Sequence, residues 1–430
     1  MNRALIAIVV VVVLGAGAFF ALAWRPAIAE VEGQAAMSFA ADNVARGEML
    51  AGAGNCVSCH GADLAGGRGI ASDFGVIYAT NITPDPETGI GRWSQEAFAR
   101  AMRSGVRRDG AHLFPAFPYT HFAKLTDEDL DALYAFVMSQ QAVAKEVPAT
   151  TLEGIYNWRA LQGGWKLLHV RGGVFQPDGS KSEAWNRGAY LAEGLGHCSA
   201  CHSPRNSLGA EQTGAQAYAG AVVDNWYAPA LNTSHDARLP WTADELYAFL
   251  REGGSPLHGS ASGTMSEVVH DGLARLPDAD VAAIAAYFAD VGGAPPQIAA
   301  ADVAAAMAMA EGVTLNEAQA RGQTVFVNYC VSCHLNRDGA PSSTRPELAL
   351  NSAVVGPDPS TFIRIVLDGV SIPDGHPDAD MPGFRYILSS GDIADVAAYV
   401  RAVYAPGDGG WGDVQPRVQE IGMAGAAGGG

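Results

Sequence analysis

The chain has 430 residues, 48% of them hydrophobic, which is enough for about three domains with cores of their own. Its 27 Lys and Arg stand against 45 Asp and Glu, a formal net charge of −18. That balance excludes nucleic acid as a partner, because such binding needs clustered basic charge, and it suits solubility or docking to a basic face.

In chain order, the first feature is an apolar run. After Met1-Asn2-Arg3, the 21 residues from Ala4 to Trp24 carry no charge. A signal-peptide core has about 7–15 apolar residues and a spanning helix roughly 20, so the length predicts a transmembrane anchor within residues 1–28. Arg3 places its start on the cytoplasmic side. Ala21-Leu22-Ala23 and Ala27-Ile28-Ala29 have the form of cleavage sites, and removal remains the alternative to an uncleaved anchor. Either way the rest of the chain lies across the membrane.

Three copies of one unit follow. Arg46-Gly47, Arg187-Gly188 and Arg321-Gly322 each open a short helical pattern about ten residues before a Cys-x-x-Cys pair. Each copy closes on an amphipathic helix with a Tyr on its inner face: Asp127 to Phe136 behind the cap Thr126, Pro277 to Phe288, and Ser390 to Val400. The fold class expected is all-α: three tandem small domains after one N-terminal transmembrane helix. The domains occupy residues 35–146, 181–293 and 313–405. Residues 147–180 and 294–312 read as linkers, and the Gly-rich stretch 406–430 as a flexible tail.

The six cysteines form the pairs Cys56/Cys59, Cys198/Cys201 and Cys330/Cys333, with none left over. Each pair is followed at once by a histidine, His60, His202 or His334. Cys-x-x-Cys-His is the attachment signal for c-type haem. Two thiols three positions apart add to the two vinyl groups of one haem, and the adjacent imidazole turns onto the iron. Zinc half-sites would need further Cys or paired His nearby, and dithiol redox sites would want a βαβ context. Neither is present in the sequence, so the reading is three covalently bound haems c.

The sixth ligand sets the potential, and methionine raises it. Met381, in Asp380-Met381-Pro382-Gly383, lies 47 residues after His334, and Met265, in Gly263-Thr264-Met265-Ser266, lies 63 after His202. Both precede the closing helix of their unit on a loop, a poor place for a core methionine. The first unit breaks the rule. Its loop Leu113-Phe114-Pro115-Ala116-Phe117-Pro118-Tyr119 puts Phe117 where the methionine belongs. His121 and His112 lie on the same loop, and either could complete a bis-histidine haem. An open position there would instead permit a multi-haem peroxidase, the rival enzymatic reading.

The stretches Thr80-Asn81-Ile82-Thr83-Pro84-Asp85, Thr88-Gly89-Ile90-Gly91, Trp93-Ser94, Asp109-Gly110, Leu113-Phe114-Pro115-Ala116 and Cys198-Ser199-Ala200-Cys201-His202-Ser203-Pro204-Arg205-Asn206 are long and distinctive. Through them the chain resembles, over nearly its whole length, the membrane-bound three-haem cytochrome c subunits of bacterial periplasmic dehydrogenases. The resemblance implies an electron relay with no substrate-oxidising site of its own, at the inner membrane with its haem domains facing the periplasm and its anchor in lipid. It implies a catalytic partner subunit, and ubiquinone or a terminal oxidase as acceptor. The alcohol and sugar branches of that family have Met where this chain has Phe117. The Pro-Ala-Phe-Pro-Tyr form with a following His looks more like the molybdenum branch, similar to nicotinate dehydrogenase. That implies a molybdopterin and iron–sulfur partner, and favours His121 as the replacement ligand. Residue by residue, His60, His202, His334, Met265 and Met381 match the family's ligands.

Overall fold

The computed structural model describes residues 2–32, 38–72, 74–307, 313–334, 347–371 and 381–427. Their contacts form two compact units, one of Met1–Asp178 with Tyr190–His197 and the other of Gly179–Ala189 with Cys198–Gly430. The second and third cysteine-pair segments thus share a unit.

One helix crossing is built three times. In the first segment, helix Ala41–Ala53 meets helix Asp127–Ser139; in the third, Glu317–Tyr329 meets Ser390–Tyr404. The Arg-Gly dipeptide explains both. Arg46 donates Nε and Nη2 to Asp129 Oδ1 at 2.9 and 2.6 Å, and Arg321 donates to both oxygens of Asp395 at 2.6 and 2.9 Å. In the second segment Arg187, on helix Glu183–Glu193, makes the same fork onto Asp280 of helix Asp278–Val291 at 2.8 and 2.7 Å. A planar guanidinium suits this two-pronged grip on a carboxylate. The glycine lets the backbones touch. A β-carbon at Gly47 would lie 2.6 Å from the carbonyl carbon of Ala132, and one at Gly188 2.5 Å from that of Ala283.

Caps and charges agree with the helix ends. Thr126 Oγ1 accepts from Asp129 N, and Asp127, Glu128 and Asp129 crowd the positive end of their helix. Asn316 and Ser389 each form a reciprocal capping box with the residue three positions on. The inner-face tyrosines Tyr134, Tyr287 and Tyr399 are all buried.

The all-α expectation is corrected by small sheets. Gly69–Ser72 pairs antiparallel with Gly75–Tyr78, which also pairs with Thr151–Leu152. Ala221–Val223 pairs with Trp226–Ala228, and Gly254–Ser255 with Gly259–Ser260. The cause in the second case is local. Asp224 and Asn225 sit at φ 49° and 61°, both left-handed, as the tightest hairpin turn requires, and Val222, Val223, Trp226 and Tyr227 favour extended backbone.

The expectation of a transmembrane anchor is also corrected. The apolar run forms helix Arg3–Ala23, yet among the described residues no helix is long and apolar enough to cross a membrane. Its last turn is committed to protein. Phe19 and Phe20 pack on Trp158 at 6.5 and 6.2 Å, Ala23 is buried, and the Ala23 carbonyl accepts from His112.

Two stretches expected to be irregular are ordered. Within 147–180 lies helix Leu161–His169, tied down by Lys166 Nζ donating to Ser104 O and Gly105 O at 2.7 and 2.6 Å. The expected tail carries helix Gln415–Ala427, whose Val418 and Ile421, with Val414 just before it, are buried in the core of the third segment beside Phe326, Ile393 and Val400. Their spacing of four and three residues is one helical stripe, masked in the sequence by the surrounding glycines.

Candidate haem sites

Each Cys-x-x-Cys-His motif lies on a helical turn: Cys56–His60, Ser199–His202 behind Cys198, and Val331–His334 behind Cys330. One turn brings residues three apart onto the same face, so each thiol pair presents one edge to one ligand. The six thiols are unbridged. Burial pushes the Cys56 thiol up to about 12, helped by Cys59, and the Cys330 thiol up to about 11, helped by Cys333. Among the described residues, no three His, Cys, Asp or Glu gather to hold a bare metal ion.

The histidines are oriented by the backbone. His60 Nδ1 lies 2.7 Å from Thr80 O, and His202 Nδ1 lies 2.7 Å from Pro229 O. A carbonyl only accepts, so each Nδ1 carries the proton and Nε2 keeps its lone pair. Burial lowers both imidazoles, against the opposing pull of those hydrogen bonds, and holds them neutral. A neutral imidazole fixed through its other nitrogen is the standard form of a metal-ligating histidine. The residues present therefore fit haem c. For His334 the following residues, 335–346, lie outside the described residues.

Both carbonyls sit just past a hairpin. Thr80 follows strand Gly75–Tyr78, and Pro229 follows strand Trp226–Ala228. Sequence reasoning missed them, although Tyr-Ala at 78–79 and again at 227–228 marks the place. The distinctive run after Thr80 is scaffolding. Buried Asn81 donates to Val143 O at 2.7 Å and Thr88 Oγ1 at 3.0 Å, and accepts from Thr83 N and Oγ1. Asp85 accepts from Thr88 N and Oγ1, bonds that hold its carboxyl below the usual range.

The sixth-ligand candidates divide. Met265 stands on the short helix Thr264–Glu267, after Gly263 at φ 54°. Met381 exchanges backbone hydrogen bonds with Val370, both 2.9 Å; Asp380 beside it lies outside the described residues. Phe117 packs its ring on Phe122 at 5.3 Å. His112 is used up: Nε2 donates to Ala23 O at 2.6 Å, and Nδ1 accepts from Lys166 Nζ at 3.1 Å. Both of its ring nitrogens are thus engaged by the protein. Lys166 suits the role of donor in an apolar corner, where burial, with Arg25 nearby, brings its ammonium down to about 7. His121 is buried with Nδ1 2.9 Å from Glu193 O, the same backbone orientation seen at His60 and His202.

The second segment also holds a pH-sensitive group. His258 lies 3.7 Å from Trp241 in a parallel stack and is 3% exposed. Burial pushes it down to about 3, against a bond to Pro240. The unfolded chain takes up a proton near pH 6.5 that the folded one refuses, so this stabilisation is complete above that pH and is lost as pH falls toward 3. Urea unfolding at pH 4.5 should show about 2–3 kcal/mol less stability than at pH 7 from this group, with the loss absent in His258→Phe.

Comparisons with known proteins agree with the geometry. A cytochrome c family model matches residues 44–141 and 186–291, and the model for cytochrome c oxidase, cbb3-type, subunit III matches 317–400. The chain is 44% identical over 406 residues to a subunit of nicotinate dehydrogenase from Pseudomonas putida, covering 93% of itself but only 34%, about a third, of that protein. It is 38% identical to the gluconate 2-dehydrogenase cytochrome c subunit of Pantoea cypripedii, covering 85% of itself and 86% of the relative. It is 34% identical to the cytochrome c subunit of alcohol dehydrogenase (quinone) of Gluconobacter oxydans, covering 87% and 79%. With haem-fitting sites and the last two of these relatives matched over most of their length, the chain belongs to the cytochrome c subunits of dehydrogenases: it carries covalently bound haem c and is an electron-transfer component rather than a catalytic one.

Proposed function

We propose that this chain holds three haems c and carries electrons from a catalytic dehydrogenase subunit of the molybdenum hydroxylase kind to ubiquinone or another respiratory acceptor, on the periplasmic side of a bacterial membrane. The observation that carries the haem reading is the repeated one: an imidazole directly behind a thiol pair, its Nδ1 bonded to a backbone carbonyl at 2.7 Å in both His60 and His202. The third site rests on Cys330, Cys333 and His334 in the same pattern.

Haem c, when bound, takes up and releases single electrons. The protein's part is to hold and tune it. Each cysteine pair fixes the group covalently, and each histidine offers Nε2. Met265 and Met381 would supply soft sulfur to the haems of the second and third sites. His121 supplies nitrogen at the first, where Phe117 has no donor atom. The partner class is supported by Pro-Ala-Phe-Pro-Tyr at 115–119 and by 44% identity to a nicotinate dehydrogenase subunit, against 38% and 34% to the gluconate and alcohol dehydrogenase subunits.

The test is to purify the native complex through a tag on this chain and measure haem, metals and organic cofactors. Three haems per chain with stoichiometric molybdenum and additional iron is the expected result. Two haems would overturn the third site. Flavin or a quinone cofactor without molybdenum would overturn the partner class.

A further inference from the structure

Strand Trp226–Ala228 adjoins both His202 and the turn that carries Met265. Just past its end, Pro229 O receives His202 Nδ1. At its start, the Trp226 indole lies against Gly263, two residues before Met265. A β-carbon at Gly263 would come within 2.5 Å of the indole Cζ2, and the backbone there, at φ 54° and ψ −136°, is one that glycine alone adopts readily.

The strand is seated on helix Ser360–Asp368 of the third segment. Tyr227 N donates to Thr361 Oγ1 at 2.9 Å, and Thr361 Oγ1 donates to Tyr227 O at 3.1 Å. The Arg364 guanidinium stands 5.7 Å from the Trp226 ring centre, donates to Asp224 O at 3.4 Å, and pairs with Asp368 at 3.3 Å. Two residues past the end of the same helix, Val370 exchanges two backbone hydrogen bonds with Met381. Phe384 N also donates back to Val366 O at 2.8 Å.

We propose that Trp226 is a positioning residue for Met265, and that its strand and helix Ser360–Asp368 form one brace setting the two methionine loops. This rests on the reading of Met265 and Met381 as sixth ligands. A thioether is a neutral, weak donor, so its hold on iron depends on a loop already in place. Trp226 blocks the inward path of that loop, and Arg364 and Thr361 keep the strand from retreating.

The test uses the full chain with haem attached, as wild type, Met265→Leu, Trp226→Phe, Trp226→Ala and Thr361→Val. The readouts are the far-red absorption that reports sulfur on ferric haem, the individual midpoint potentials, and haem content. Met265→Leu should lose one such band. Trp226→Ala should lose the same band and lower the same potential with haem content unchanged, and Trp226→Phe should keep both. Thr361→Val removes both bonds to Tyr227 but leaves the indole, and the Met265 band should then fade at lower urea than in wild type. An intact band and potential in Trp226→Ala would overturn the positioning role. Should that variant fail to take up haem, unchanged fading in Thr361→Val overturns the proposal instead. Unchanged spectra in Met265→Leu would sink the ligand reading itself, separately, because Trp226 is intact in that chain.

Discussion

A Gly188→Val chain is expected to bring its second haem segment close to unfolding. The added β-carbon would fall 2.5 Å from the Ala283 carbonyl carbon and 3.0 Å from Ile284 N. Both are backbone atoms of the helix it crosses, so no side chain can swing aside. Relief requires the helices to part, which strains the fork between Arg187 and Asp280. Overpacking in a core costs about 1–3 kcal/mol and more where backbone must move. Removing glycine from a helix returns only about 1 kcal/mol of propensity. With domains stable by roughly 5–15 kcal/mol, Val should approach the limit and Ala should stay folded with a lower urea midpoint. Gly407→Ala, where nothing lies within 4 Å of the new carbon, should show no change. Equal midpoints for all three chains would contradict the crossing as the origin of the Arg-Gly repeat.

The second large effect is on potential. Met381→Leu and Met265→Leu keep side-chain volume and remove the sulfur, so the fold should hold. Each should abolish one thioether band and lower one midpoint potential by on the order of 0.1 V or more, since axial ligands span about 0.8 V in proteins. His121→Gln should leave both bands and change the spectrum of the remaining haem. His112→Gln should change no haem spectrum. It should instead cost about 1–3 kcal/mol of stability, because the buried partners Ala23 O and Lys166 Nζ lose their bonds. Spectroelectrochemistry and urea unfolding on the four chains separate the roles. A spectral change in His112→Gln with none in His121→Gln would reverse the assignment.

Much of this was legible because it depends on side-chain type at short range. The thiol pairs, the histidine behind each, the Arg-Gly dipeptides and the capped closing helices are all local patterns with one cheap physical explanation. The hairpins were less visible. Val222-Val223 and Trp226-Tyr227 are two-residue runs inside long loops, and only the left-handed pair Asp224-Asn225 betrays them. The acceptors for His60 and His202 are peptide carbonyls, which every residue has, so no residue type could announce Thr80 or Pro229. The partners of His112 were hidden for the same reason, since Ala23 and Lys166 lie 89 and 54 residues away in the chain. The apolar run at the start reads as a spanning length until Trp158 and His112 are seen to hold its last turn.

The three Arg–Asp forks join residues 83, 93 and 74 positions apart, and each encloses its own cysteine pair. A segment delivered from its N-terminus therefore presents its thiols early, while the helix that will shut the pocket is still unmade. At about 5–20 residues per second of synthesis, that interval lasts on the order of 4–20 s. Each fork is thus a contact that can close only after the cysteine pair it encloses is already on the chain.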